Sequence, residues 1–192
     1  MLVSIVYDSH YGHTAKQANA VAKGVRRVPG VECKLFAVAD GPISWEEFEQ
    51  SDAIIFGSPT YNGNLTARLK QFFEDSTQPV WRGMKWRNKI AAGFTYSGAL
   101  NGDKMGTLIS MALFAAQNGM IWVGLDLFPG NSAKVGVANE LNRLGSWLGA
   151  MGQSNSSEGE NPADVESDMN TAAYLGERVA KLAKQFQAGL QI

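Results

Sequence analysis

Strand and helix signals alternate along this chain from one end to the other, and that alternation limits its fold more than any other feature. Residues 2–7 form a short apolar, β-rich run of the kind that a strand buried on both faces requires. Residues 12–28 follow, with Ala15, Ala18, Ala22 and Val25 at helical spacing, and Pro29-Gly30 ends that helix. Residues 31–38 read as a second strand, with Cys33 at a buried position. Ile43-Ser44-Trp45-Glu46-Glu47-Phe48 opens a short helix, Ser44 and Glu47 forming a capping box and Ile43 stapling onto Phe48. Residues 53–57 are the third strand, and Asn64 caps a helix carrying Leu65, Leu69, Phe72 and Phe73. A fourth strand at 90–95, a helix at 103–118 and a fifth strand at 120–123 come next. The last helix begins near Thr171 and carries Ala172, Leu175, Val179, Leu182 and Phe186. Crossovers between parallel strands are right-handed, so this order specifies an α/β fold, a doubly wound parallel sheet with helices on both faces.

One segment breaks the pattern. Residues 124–170 are rich in Gly, Ser and Asn, carry Pro129 and Pro162, and show little periodicity. Too few residues remain for a second domain, so residues 1–192 are expected to form one domain with a long excursion at 124–170. Long aperiodic loops of this kind serve as lids or interface arms. An arm between subunits is the preferred expectation.

Composition removes several classes of function. The chain has 17 basic and 18 acidic residues, a net charge of -1, and no basic stripe of the sort that grips nucleic acid. Its one cysteine excludes an internal disulfide. Neither His10 nor His13 stands at metal-ligand spacing from another candidate ligand, so no metal site is expected. No apolar stretch approaches the ~20 residues of a membrane span, and the N-terminal run has neither the basic flank nor the apolar length of a signal peptide. A cytoplasmic location and no stable membrane insertion are expected.

In a doubly wound sheet, ligands bind beyond the carboxyl ends of the strands. The loop after the first strand reads Ser9-His10-Tyr11-Gly12-His13-Thr14. Gly12 permits a tight turn, a helix starts at once, and Ser9 and Thr14 add hydroxyls, a set of neutral donors suited to a terminal phosphate. A plain strand-to-helix turn capped by Ser9 is the alternative. The third strand leads into Ser58-Pro59-Thr60-Tyr61-Asn62-Gly63-Asn64, a tight turn that offers backbone groups and an aromatic face to a flat heterocycle. After the fourth strand, Thr95-Tyr96-Ser97-Gly98-Ala99-Leu100-Asn101-Gly102-Asp103 has the glycines to bend around a ring, with Asp103 read as the cap of the next helix. Three such loops at one sheet edge suit a planar ligand with a phosphate tail.

At these residues the sequence resembles the flavodoxin-like superfamily, and within it the WrbA family of NAD(P)H:quinone oxidoreductases. Ser9-x-Tyr11-Gly12-His13 matches that family's phosphate loop, and Ser58-Pro59-Thr60-Tyr61-x-Gly63-Asn64 its flavin-ring loop. The Gly119-Met120 pair and the Gly/Ser-rich stretch before the last helix recur there too. The resemblance implies a five-stranded sheet in the order 2-1-3-4-5 and FMN held without a covalent bond. It also implies NAD(P)H as donor, a quinone as two-electron acceptor, and a homo-oligomer, dimer or tetramer. By position, Ser9, Tyr11, Gly12, His13 and Thr14 hold the phosphate, and Pro59, Thr60, Tyr61, Asn62 and Gly63 line one ring edge. Thr95, Tyr96, Ser97 and Gly98 line another. Trp81 matches a tryptophan that approaches the flavin pocket from a neighbouring subunit. The family commonly has histidine where this chain has Asn118, and a more Gly-rich loop around Tyr96, Ala99, Leu100 and Asn101.

The expected activity is FMN-dependent transfer of two electrons from NAD(P)H to a quinone, with Asn118 and Tyr96 as polar groups assisting beside the ring and Trp81 and Asn118 lining the substrate pocket. A flavodoxin-type electron carrier and a regulatory flavin-binding module are the alternatives. Carriers use strongly charged faces for steering, which a net charge of -1 argues against, and the segment from Trp81 to Trp86 suits subunit packing. Met105, Met111, Leu113 and Phe114 read as core. Arg82, Lys85, Arg87 and Lys89 read as a solvated edge, with a grip on the NADPH 2′-phosphate as the alternative.

Overall fold

In a computed structural model, residues 1–130, 140–154 and 165–189 of the chain are described. The elements run β1 (Leu2–Tyr7), α1 (His13–Val25), β2 (Glu32–Ala37), α2 (Trp45–Glu49), β3 (Ala53–Pro59), α3 (Ala67–Asp75), β4 (Ile90–Ser97), α4 (Lys104–Gln117), β5 (Ile121–Trp122), β6 (Ala150–Gln153) and α5 (Glu166–Gly189). Every strand pair is parallel and the order is β2-β1-β3-β4-β5, the flavodoxin-like arrangement. The order reverses direction beside β1, which is where a doubly wound sheet opens a ligand crevice.

The fifth position of the sheet is shared. β3 occupies one edge of β4 from Ile90 to Tyr96, so the other edge must take both β5, beside Ile90–Ala91, and β6, beside Phe94–Ser97. A fifth strand at 120–123 is thus shorter than its sequence suggests, although the Val123 amide still donates to the Ala91 carbonyl at 2.7 Å. The excursion at 124–170 is likewise divided. Ala150–Gln153 returns to the sheet and α5 begins at Glu166, five residues before Thr171, while 131–139 and 155–164 lie outside the described residues.

The core has a layer on each face. Val3, Ile5, Ala18, Val21, Leu175 and Val179 join α1 and α5 to one side of the sheet. Those helices touch backbone to backbone, since a Cβ on Gly24 would lie 1.8 Å from the Ala173 carbonyl oxygen. On the other side Phe48, Phe56, Phe72, Phe73, Phe114 and Trp86 pack under α2, α3 and α4. Trp86 is fully buried in this aromatic layer and so is unavailable for subunit packing. Met111 and Phe114 are core as expected, but Leu113 is 62% exposed.

Local caps differ from the sequence reading. Thr66, not Asn64, caps α3, its hydroxyl accepting from the Leu69 amide, because Asn64 closes the preceding hairpin. Ser44 donates to the Glu46 carboxylate and Glu47 pairs with Lys34, so no capping box forms. Asp103 stands at the start of α4 without a side-chain cap bond.

Candidate functional site

The loops after β1, β3 and β4 meet at one cleft of about 210 Å³, lined by Ser9, His10, Tyr11, His13, Thr14, Pro59, Tyr61, Tyr96, Ser97, Gly98 and Ser154. The end of the cleft at the start of α1 is built from backbone. Gly12 turns through φ 85, a conformation that disfavours a side chain, and delivers the chain into α1. The first-turn amides of that helix have no intrahelical acceptors, and no acidic residue stands among them. Ser9 Oγ already accepts from the Ala15 amide at 3.1 Å, so it holds the loop onto the helix.

Beneath this loop is a group that sequence reasoning missed. Asp8 is fully buried, accepts from the Ser9 amide at 2.9 Å, and leaves Oδ2 without a hydrogen bond. His10 Nδ1 at 3.6 Å and Arg68 at 3.7 Å flank it. The Arg68 guanidinium, from α3, offsets part of the charge of this buried carboxylate. An aspartate closing an otherwise apolar strand was the available signal.

The other end of the cleft is a hairpin facing the end of β4. Asn62 and Gly63 both have positive φ, 49 and 86, and Tyr61 and Asn64 exchange backbone bonds of 2.9 and 3.2 Å, a two-residue turn of the primed type. The Thr60 amide donates to the Tyr96 carbonyl at 2.9 Å, fixing this hairpin to β4. His10, Tyr11 and Tyr61 cluster as an aromatic rim with centroids 5.6 to 6.5 Å apart. Burial raises the Tyr61 phenol above its ordinary range, and Tyr11 and Asp8 push the same way, so the phenol stays protonated.

Not every expected residue reaches the cleft wall. Thr60 and Thr95 are buried behind it, their hydroxyls 2.7 Å apart, with Thr107 2.8 Å from Thr60. They bind β3, β4 and α4 to each other. Asn62 lines an adjoining groove of about 610 Å³ that shares Tyr61 with the cleft and runs between α3 and α4 past Phe73, Leu113 and Phe114. Gly63 sits at the hairpin tip against Gly106 of α4. Trp81 and Asn118 line a third space, about 240 Å³, joined to the groove through Lys70, Phe73, Phe114 and Gln117. Tyr96 lines the cleft by its ring, but its hydroxyl donates to the Gln153 carbonyl at 2.9 Å. His10 and Ser154 complete the wall without having been picked out from sequence.

The basic run is partly anchored. Lys85 pairs with Glu49 at 2.5 Å, and the half-buried Lys89 ammonium donates to the carbonyls of Glu49 and Ser51. Lys89 is therefore part of the fold and not of a solvated edge. Among the described residues, no group of three or more His, Cys, Asp or Glu side chains converges as a metal site. Among the same residues, no helix is long and apolar enough to cross a membrane.

A glycine-turned helix N-terminus with no acidic residue in its first turn fits a phosphate, the buried Asp8 beneath the loop being flanked by Arg68. Ser97 Oγ is buried beside the cleft without a hydrogen-bond partner, and an exposed Gly98 follows it. Together with the hairpin's edge-on backbone, these fit a flat polar heterocycle. Fold and site define a flavodoxin-like protein with a flavin-type crevice.

Comparison with known proteins narrows the class. Residues 44–132 match the family described as NADPH-dependent FMN reductase. The chain is 37% identical over 188 residues to flavodoxin FldP of Pseudomonas aeruginosa, covering 96% of this chain and 97% of that protein. It is 34% identical over 209 residues to an NAD(P)H dehydrogenase (quinone) of Archaeoglobus fulgidus, covering 95% and 97%. The crystal structure of a flavodoxin, WrbA-like protein from Agrobacterium tumefaciens superimposes with a TM-score of 0.70 at 35% identity, covering 96% of this chain and 98% of that one. This chain belongs to the WrbA-like family of flavodoxin-like proteins.

Proposed function

We propose that this protein is an FMN-dependent oxidoreductase that passes two electrons from NAD(P)H to a quinone. The observation that carries the reading is the single cleft formed by the three loops, opening into a wide groove on the same side of the molecule. Gly12, His13 and Thr14, at the start of α1, hold the phosphate. Pro59, Tyr61, Ser97 and Gly98 present the ring edges, with Ser97 Oγ gaining the partner it lacks. FMN, when bound, supplies the acceptance and release of the electron pair. Thr60 and Thr95 keep the two ring loops in register from behind. The groove beyond Tyr61 admits the nicotinamide and the quinone in turn. In this reading the protein works in the cytoplasm as a homo-oligomer, with Trp81 and Asn118 completing the substrate pocket.

The test is an anaerobic titration. The purified protein is expected to carry or take up FMN, to lose its visible flavin absorbance on addition of NADPH or NADH, and to regain it with benzoquinone. A flavin that neither nucleotide reduces would overturn the reading. A second reading, an electron carrier, has one observation in its favour, the similarity to the relative named flavodoxin. A carrier gives no steady-state nicotinamide oxidation with quinone, whereas the oxidoreductase does.

A further inference from the structure

Lys104 lies in the first turn of α4 and is fully buried. Lysine is rarely found fully buried, and the first turn of a helix is the wrong end for a cation. Something in the fold must use it. Its ammonium donates to the Ala99 carbonyl and, at 3.1 Å, to the Leu100 carbonyl, both in the exposed loop between β4 and α4. The adjacent Gly98 carbonyl accepts from Gln153 Nε2 at 3.2 Å. Three consecutive carbonyls are thereby held, and the loop they belong to supplies Gly98 to the cleft.

The hold continues inward. The Gln153 amide donates to Asp168 at 2.9 Å, Arg143 donates to Gln153 Oε1 at 3.2 Å, and Arg143 pairs with Asp168 at 2.8 Å. The charged groups bearing on Lys104 are Asp103 beside it on α4, Asp168 on α5 and Arg143 in the segment before β6. The carboxylates favour its charge, while burial and Arg143 oppose it. Burial dominates and brings the ammonium down to about 8.

We infer that Lys104 is a positioning residue of the flavin site: its charged ammonium clamps the β4–α4 loop into the shape that retains FMN. The inference rests on the FMN reading above. A clamp made of charge-assisted bonds acts only while the lysine is protonated, so retention of FMN weakens as the pH passes through the titration of Lys104.

The experiment is an FMN titration followed by fluorescence quenching, for the wild type and Lys104→Met, between pH 6.5 and 9.5. Lysine-to-methionine keeps much of the side chain's length and removes its charge. Loss of two charge-assisted bonds is expected to weaken FMN binding about tenfold at pH 6.5. The wild type is expected to lose affinity with an inflection near pH 8, and the variant to lack that inflection. Groups on FMN itself titrate alike in both proteins and cancel in the comparison. Amide hydrogen exchange without added FMN reads the clamp separately: residues 98–102 exchange faster in Lys104→Met while the sheet keeps its protection. Equal affinities and parallel pH profiles overturn the inference and leave the FMN reading standing. Unchanged exchange in the loop also overturns it. A wild type that takes up no FMN at any pH overturns both.

Discussion

The imidazole of His13 lies on the ring of Tyr96, their centroids 5.4 Å apart and their planes 4° from parallel. The stack joins the first turn of α1 to the last part of β4, so the two ends of the cleft brace each other. Tyr96 is 2% exposed and its hydroxyl is committed to the Gln153 carbonyl. That bond makes the phenol a strut between β4 and β6, and two variants test a role as a polar group beside the flavin. Tyr96→Phe keeps the ring and loses one hydrogen bond, so stability is expected to fall by about 1 kcal/mol, with turnover changed less than about twofold. Tyr96→Ala removes the stack and leaves a void, at a cost of about 3–5 kcal/mol in urea unfolding, and weakens FMN. A tenfold fall in turnover for Tyr96→Phe would return the hydroxyl to a chemical role.

The hairpin that carries Asn62 and Gly63 rests on α4 at one point. A Cβ on Gly106 would stand 2.9 Å from the Gly63 carbonyl oxygen, and that oxygen belongs to a turn too tight to yield freely. Gly106→Ala is expected to displace the hairpin and weaken FMN binding by about 1–3 kcal/mol, the usual cost of overfilling a packed contact. Helix propensity acts the other way and holds the melting temperature near that of the wild type. Isothermal titration with FMN checks it. Wild-type affinity in the variant means that the hairpin gives way without cost to the ring site.

Much of this was legible in the sequence because it rests on local chemistry. The apolar runs of β1, β3 and β4, the Pro29-Gly30 stop and the three glycine-bearing loops each announce themselves within a few residues. What stayed hidden depends on which way a side chain turns in a strand buried on both faces. Thr60 and Thr95 look like ligand hydroxyls, yet they bond each other behind the wall. β6 has only four residues, Ala-Met-Gly-Gln, and its Gly152 is there because a Cβ would meet the Tyr96 ring at 2.3 Å. No pattern within four residues can show that. Lys104 opens a helix in the sequence with nothing local to mark it as buried, since its partners are the Ala99 and Leu100 carbonyls and the charge of Asp168 from the far end of the chain.

That burial has a sign in the pH dependence of stability. Lys104 titrates at about 8 when folded and near 10.5 otherwise, so between those values the unfolded chain binds more protons than the folded one. Its contribution is a penalty of about 3 kcal/mol at neutral pH, relieved as the pH rises from 8 towards 10.5. Asp168 is shifted up, chiefly by burial, so its penalty is relieved in the opposite direction, as the pH falls through its folded value. The wild type minus Lys104→Met difference in unfolding free energy is expected to move in favour of the wild type between pH 8 and 10. A difference that is flat across that window would show that the folded lysine titrates normally.

Trp81 and Asn118 share a space that is joined, among the described residues, to the three-loop cleft along the groove between α3 and α4. Trp81 is 47% exposed, whereas Asn118 is buried, donates to the Phe114 carbonyl at 3.0 Å and leaves Oδ1 unpartnered. Neither lines the cleft that holds Ser9 and Gly98. Trp81→Ala is therefore expected to leave the affinity for FMN within about twofold while lowering kcat/KM for quinone by about tenfold, since a large aromatic face at a binding surface contributes about 1–2 kcal/mol. If the indole serves a neighbouring subunit, mixing Trp81→Ala subunits with subunits defective in FMN binding through Gly12→Val should raise activity above that of either variant alone. Such mixed oligomers place an intact tryptophan against an intact flavin cleft. Recovery absent from oligomers shown by mass to be mixed would mean that Trp81 reaches the substrate within its own chain, along the groove past Phe114 and Tyr61.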